Sequence, residues 1–157
     1  MKRFSDVSGM PVICADTGEK AGTVETVVCD KRDNVLGFLI NSGKIGNKYS
    51  FISLKDVISE KNENISVLDE SRIIRKREDV RNYRKNRNWV WLNKKVRAND
   101  GKLLGIVKDG IFDVYSGKIS EIELSLGVIE DFRDGRKKFN INEDTEFGEE
   151  YIVLNEK

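Results

Sequence analysis

The chain has no histidine, one proline, two cysteines and no long apolar run in its 157 residues. Each gap excludes something. Without histidine there is no imidazole base, no Ser-His or Cys-His nucleophile pair and no His-containing zinc site. Cys14 and Cys29 are too few for a four-thiolate metal centre or a disulfide framework. They read as small buried apolar side chains in a reducing compartment. No stretch approaches the roughly 18–20 consecutive apolar residues of a membrane span. The opening Met1-Lys-Arg-Phe-Ser5 turns polar at once, unlike a signal peptide. A cytoplasmic protein with no catalytic residues, no metal and no cofactor is the expectation.

What the chain does have is charge, unevenly placed. Residues 1–70 carry 9 Lys/Arg and 11 Asp/Glu, residues 71–90 carry 8 and 2, and residues 91–157 carry 11 and 14. A whole-chain net charge of +1 hides a strongly basic joint between two mildly acidic halves.

The halves repeat one another. Asn99–Asp113 matches Asp16–Asp30 at a displacement of 83 positions, setting Gly18 against Gly101, Gly22 against Gly105, Val24 against Val107, Val28 against Ile111 and Asp30 against Asp113. Extended outward, the match places Val12-Ile13 against Lys95-Val96 and Leu36 against Ile119. That period is too long for a solenoid unit and suits two small domains in tandem. The expected boundaries are 1–70, a linker over 71–90, and 91–157.

Within each half, short β-branched and aromatic runs alternate with turns. Pro11–Ala15, Ala21–Asp30, Val35–Ile40, Lys48–Ser53 and a closing hairpin of Val57–Glu60 with Ile65–Leu68 read as strands. The second half offers Lys95–Ala98, Leu104–Val114, Ile119–Leu124, Phe139–Ile141 and Tyr151–Leu154. Ile119–Leu124 alternates, with Ser120, Glu121 and Glu123 off the apolar face. Val24, Val27, Val28 and Cys29 cannot share one face, so a β-bulge or strong coiling is expected there and around Ile106–Phe112. The fold class is all-β: two tandem small antiparallel barrels, closed to leave no long edge. The linker has apolar residues at 73, 74, 80 and 83, a spacing compatible with a helix.

The D-x-G turn, the following G-x-V, the aspartate-ended strand and Tyr49-Ser-Phe-Ile-Ser-Leu-Lys-Asp-Val57 with Ile65-Ser-Val67 resemble the PRC-barrel family. In the second half, Gly127-Val-Ile-Glu-Asp-Phe-Arg-Asp-Gly-Arg136 is similar to a loop of tandem bacterial members. The resemblance implies the β-barrel module of the photosynthetic reaction centre H subunit's cytoplasmic domain and a non-catalytic adaptor role. The motifs are glycines and apolar positions, which specify fold and leave function open.

Other motifs carry little chemistry. The carboxylates Asp30, Asp109 and Asp113 read as solvated strand-end residues. Ser42–Lys48 lacks the order of a phosphate loop and reads as a surface loop. Asp131–Gly135 falls short of a calcium loop, and Glu143–Glu150 reads as solvated surface. The joint is the candidate partner-binding region: Arg75, Lys76, Arg77, Tyr83, Arg84, Lys85, Arg87 and Trp89. Arginine forks suit carboxylate or phosphate, and interleaved aromatics suit stacking on unpaired bases. Equally, the joint can bind the acidic faces of its own halves, and Trp89 and Trp91 can pack into the fold. A protein partner is the leading expectation from outside the chain, with RNA, a ribosome precursor or an anionic membrane the alternatives; a homodimer stays open.

Overall fold

The computed structural model describes residues 1–30, 32, 34–85, 91–127, 133, 135–148 and 150–155. The chain opens with a two-residue strand β1 (Lys2–Arg3) and one helical turn α1 (Phe4–Val7). Seven strands follow: β2 (Pro11–Cys14), β3 (Lys20–Cys29), β4 (Val35–Asn41), β5 (Tyr49–Ser53), β6 (Val57–Ser59), β7 (Ile65–Val67) and β8 (Ile73–Ile74). The helix α2 (Arg77–Lys85) leads to β9 (Lys95–Ala98), β10 (Leu103–Phe112), β11 (Ile119–Ser125), β12 (Lys137–Asn140), β13 (Glu146–Phe147) and β14 (Tyr151–Leu154). Of the joint's described apolar residues, Val80 and Tyr83 are helical, while Ile73 and Ile74 are drawn into β8.

One sheet runs β6-β7-β2-β3-β4-β5-β8 and the other β13-β14-β9-β10-β11-β12, with β1 laid on β10. Six strands of each correspond one for one in the same order. The bulges repeat too, since β3 shifts register between Val24 and Thr26 and β10 between Val107 and Asp109. Neighbours are antiparallel except β2 with β7 and β9 with β14, which run parallel. The all-antiparallel expectation is corrected here: in each half the returning strand lies beside the first in the same direction. Each sheet has two ends among the described residues, so no closed barrel is seen in the pairing.

Gly22 and Gly105 explain why the repeat is written in glycine. A Cβ at Gly22 would meet the Asn41 carbonyl oxygen at 2.5 Å, and one at Gly105 would meet that of Ser125 at 2.8 Å. Both lie where β3 and β10 pass closest to the next strand. Upstream, the ungapped alignment slips by one. Val12 faces Gly22 and Val96 faces Gly105, so Val12 corresponds to Val96 and not to Lys95. The turn between them is one residue shorter in the second half: Gly18 N–H donates to Cys14, four residues back, and Gly101 N–H to Ala98, three back.

The halves share a core. One apolar cluster takes Phe4, Val12, Val24, Phe38 and Ile52 from one side and Trp91, Val96, Phe112, Ile122 and Ile152 from the other. Phe112 sits at the seam, 5.7 Å from the Phe4 ring and 6.5 Å from that of Phe38. The backbones also meet, with Val35 N–H donating to Gly117 O at 2.7 Å and a bridge between Asn34 and Lys118. Units of roughly 70 residues bury only about 60 % of their unfolded surface, so pooling the core offsets their size.

Candidate interaction surface around the basic joint

The sequence of α2 divides cleanly. Val80 and Tyr83, three apart, face one way and cover Val28, Leu39 and Phe51 on the outer face of the first sheet. The Tyr83 ring stacks on Phe51 at 3.7 Å and 9°. That contact uses one of the two ring faces that could stack on a base. Arg77, Glu78, Asp79, Arg81 and Asn82 are exposed. Arg84 and Lys85 close the helix, while Arg87 and Trp89 lie outside the described residues. Trp91 is buried in the shared core and stacks on Phe147 at 4.7 Å. That aromatic contact fixes β13 inside the acidic run read as plain surface.

Several basic side chains of the joint are engaged by the chain itself. Arg72 reaches Asp56 at 3.5 Å and Arg75 reaches Glu70 at 3.7 Å. Arg77 donates to the Gly46 carbonyl, and Asn47 Nδ2 donates to the Arg75 carbonyl at 3.5 Å. These last two bonds tie the joint to the loop between β4 and β5. The loop is closed at its base by Ser42, whose N–H donates to Lys48 O at 2.7 Å and whose hydroxyl donates to Asn47 O at 2.9 Å. Lys44, Ile45 and Lys48 are exposed on it. The structure therefore gathers Arg75, Lys76 and Arg77 with Lys44 and Lys48 of the surface loop. Their signal was present: a lone isoleucine between glycines with a lysine on either side.

A second polar cluster lies on the outer face of the other sheet. Asp109 and Glu123 stand directly opposite on β10 and β11 and are 2 % and 3 % exposed. The solvated reading of Asp109 is thus corrected: the bulge turns it under α1, where it accepts from the Ser5 N–H at 3.2 Å, the Ser5 hydroxyl and the Gly110 N–H at 2.9 Å. Glu123 pairs with Arg3 at 2.8 Å and with Arg136 at 4.0 Å. Its Oε1 takes the Arg3 charge without an aligned hydrogen bond. Asp30 and Asp113 are strand-end groups, each accepting turn N–H bonds, from Arg32 at 2.8 Å and from Tyr115 at 2.7 Å. Beside Asp109 a cleft of about 370 Å³ runs between the halves, lined by Phe4, Ser5, Glu25, Leu92 and Lys108. The Asp109 oxygens accept from Ser5 and Gly110, and Glu25 Oε2 accepts from Asn41 Nδ2 at 3.2 Å.

Both cysteines are buried. Burial pushes the Cys29 thiol up to about 12, with Asp30 adding to the shift. Burial also raises Cys14, as do the nearby carboxylates Glu70 and Asp16. Neither thiol is a nucleophile near neutral pH.

No group of three or more potential metal ligands gathers among the described residues. Among them no helix is long and apolar enough to cross a membrane. No curated protein matches the chain. Residues 1–71, which hold the first sheet up to the turn before β8, match the family model of the PRC-barrel domain, so this part of the chain is similar to that family.

Proposed function

We propose that the chain is a non-catalytic adaptor that works in the cytoplasm. Residues 1–70 and 91–157 form two tandem PRC-type barrels, residues 71–90 join them, and the assembly holds a protein partner. The observation that carries this reading is where the reactive groups go. Asp109 is bound by Ser5 and Gly110, Glu123 by Arg3, and both thiols are kept neutral by burial. The uncommitted charge lies on the outside, around the joint. The carboxylates that line the cleft between the halves, Asp109 and Glu25, are hydrogen-bonded within the chain by Ser5 and Asn41.

RNA binding through residues 72–91 is the second reading, favoured by the exposed Lys76 and Arg81. The stacking of Tyr83 on Phe51 weighs against it, because single-strand binders rely on free aromatic faces. A pull-down from lysate with and without nuclease, using the intact chain beside an Arg75→Ser, Lys76→Ser, Arg77→Ser variant, separates the two. A protein partner retained after nuclease is the expected result. Recovery that depends on RNA and disappears in the variant would replace the adaptor reading.

A further inference from the structure

We propose that the loop over residues 42–48 and the start of the joint form one docking surface for an anionic lipid bilayer, with Ile45 as its inserted tip. This goes beyond the adaptor reading and does not depend on it.

Ile45 is 105 % exposed, an isoleucine standing free of the fold with nothing of its own chain over it. Isolated exposed apolar residues are ordinary. This one differs in its setting. Lys44 and Lys48 flank it, and the bonds from Arg77 to Gly46 and from Asn47 to Arg75 bring Arg75, Lys76 and Arg77 alongside. The loop base is held by Ser42, so the tip is presented and not merely loose. An aliphatic tip inside a ring of cations matches a layered target, charged at the surface and apolar just beneath. Flanking lysines keep their ammonium groups among headgroups while the isoleucine goes deeper. A nucleic acid would reward the cations but has no use for a projecting aliphatic side chain. The acids nearby are Glu70, already paired with Arg75, and Glu78 and Asp79 at the start of α2. They dilute the positive field without cancelling it.

The test uses the full chain in flotation against vesicles of phosphatidylcholine alone, and of phosphatidylcholine with phosphatidylglycerol in equal parts. Binding is expected only to the anionic vesicles and to weaken with salt. Ile45→Ser should weaken it about tenfold. Lys44→Gln with Lys48→Gln should weaken it about twenty-five-fold, at about fivefold per cation. These positions are exposed, so the variants keep the fold, checked by circular dichroism. Ile45→Trp should bind tighter, with blue-shifted emission on the anionic vesicles. Three results would each overturn the proposal: no flotation, equal flotation with both vesicles, or anionic binding untouched by Ile45→Ser. It also fails if a homopolymeric RNA binds the chain more tightly than the vesicles do and Ile45→Ser leaves that binding intact. A protein partner recovered by pull-down would stand under any of these results, so the two readings fail separately.

Discussion

Follow the middle strands of each sheet outward and the two halves part company. Across β3, β4 and β5 the directly opposed residues are Thr26, Leu39 and Phe51; across β10, β11 and β12 the corresponding ones are Asp109, Glu123 and Lys138. The strand order is shared, yet one outer face is apolar and the other charged. Each is covered by a segment that suits it. The first receives Val80 and Tyr83 of α2, and the second receives Arg3 and Ser5 of the N-terminal segment. The pairing pattern and the inward residues define the repeat. Outward residues are free to diverge provided a neighbouring segment diverges with them.

The seam is where the comparison breaks hardest. Phe112→Ala removes the ring between Phe4 and Phe38, and a loss of about 3–5 kcal/mol is expected. Urea unfolding of the intact chain should be one cooperative step, because the halves share their core. Two separated transitions would mean the halves are independent after all. Next in size is a pair of glycines. Gly117→Ala forces a Cβ to 2.6 Å from the Val35 carbonyl oxygen at a φ of +79°, and about 2–3 kcal/mol is expected. Gly101→Ala has a similar φ, +87°, but open space around it, and should cost about 1 kcal/mol. Equal midpoints for the two variants would argue against a tight contact between the halves at Gly117.

The two covers can then be lifted singly. Tyr83→Ala should cost about 2 kcal/mol by uncovering Phe51, and should reduce the helical circular dichroism signal as α2 loosens. Arg3→Ala should cost about 1–2 kcal/mol, since it removes the 2.8 Å partner of a buried Glu123 and leaves the 4.0 Å pair with Arg136. That figure is discounted because the Arg3 side chain is 41 % exposed and screened by solvent. Arg3→Met with Glu123→Leu copies the apolar solution of the first half and should recover most of the loss. No recovery in thermal melts would show that the charged face cannot be exchanged for the apolar one.

Much of this was readable along the chain. Gly22 and Gly105, the bulged strands and the Tyr151–Leu154 strand all follow from local chemistry, because turns and periodicity act over a few residues. Glu121 and Glu123 were correctly placed off the core face. The burial of Glu123 was not readable, since it depends on Arg3, more than a hundred residues away. A two-residue strand such as β1 has no period to detect. The joint was identified as a basic region, but its geometry was not. Tyr83 spends its ring on Phe51, and the cations of Lys44 and Lys48 arrive from a loop whose approach is fixed by backbone carbonyls. Carbonyls leave no trace in residue identity.

The N-terminal segment also sets an order of events. Ser5 and Asp109 are 104 positions apart. At about 5–20 residues per second of synthesis, the first turn of the chain waits roughly 5–20 s for its partner strand to be made. Throughout that interval Phe4 has no Phe112 to meet, and Arg3 has no Glu123. Residues made well before their partners are therefore among the last to find their native place, and the seam closes only after β10 and β11 have emerged.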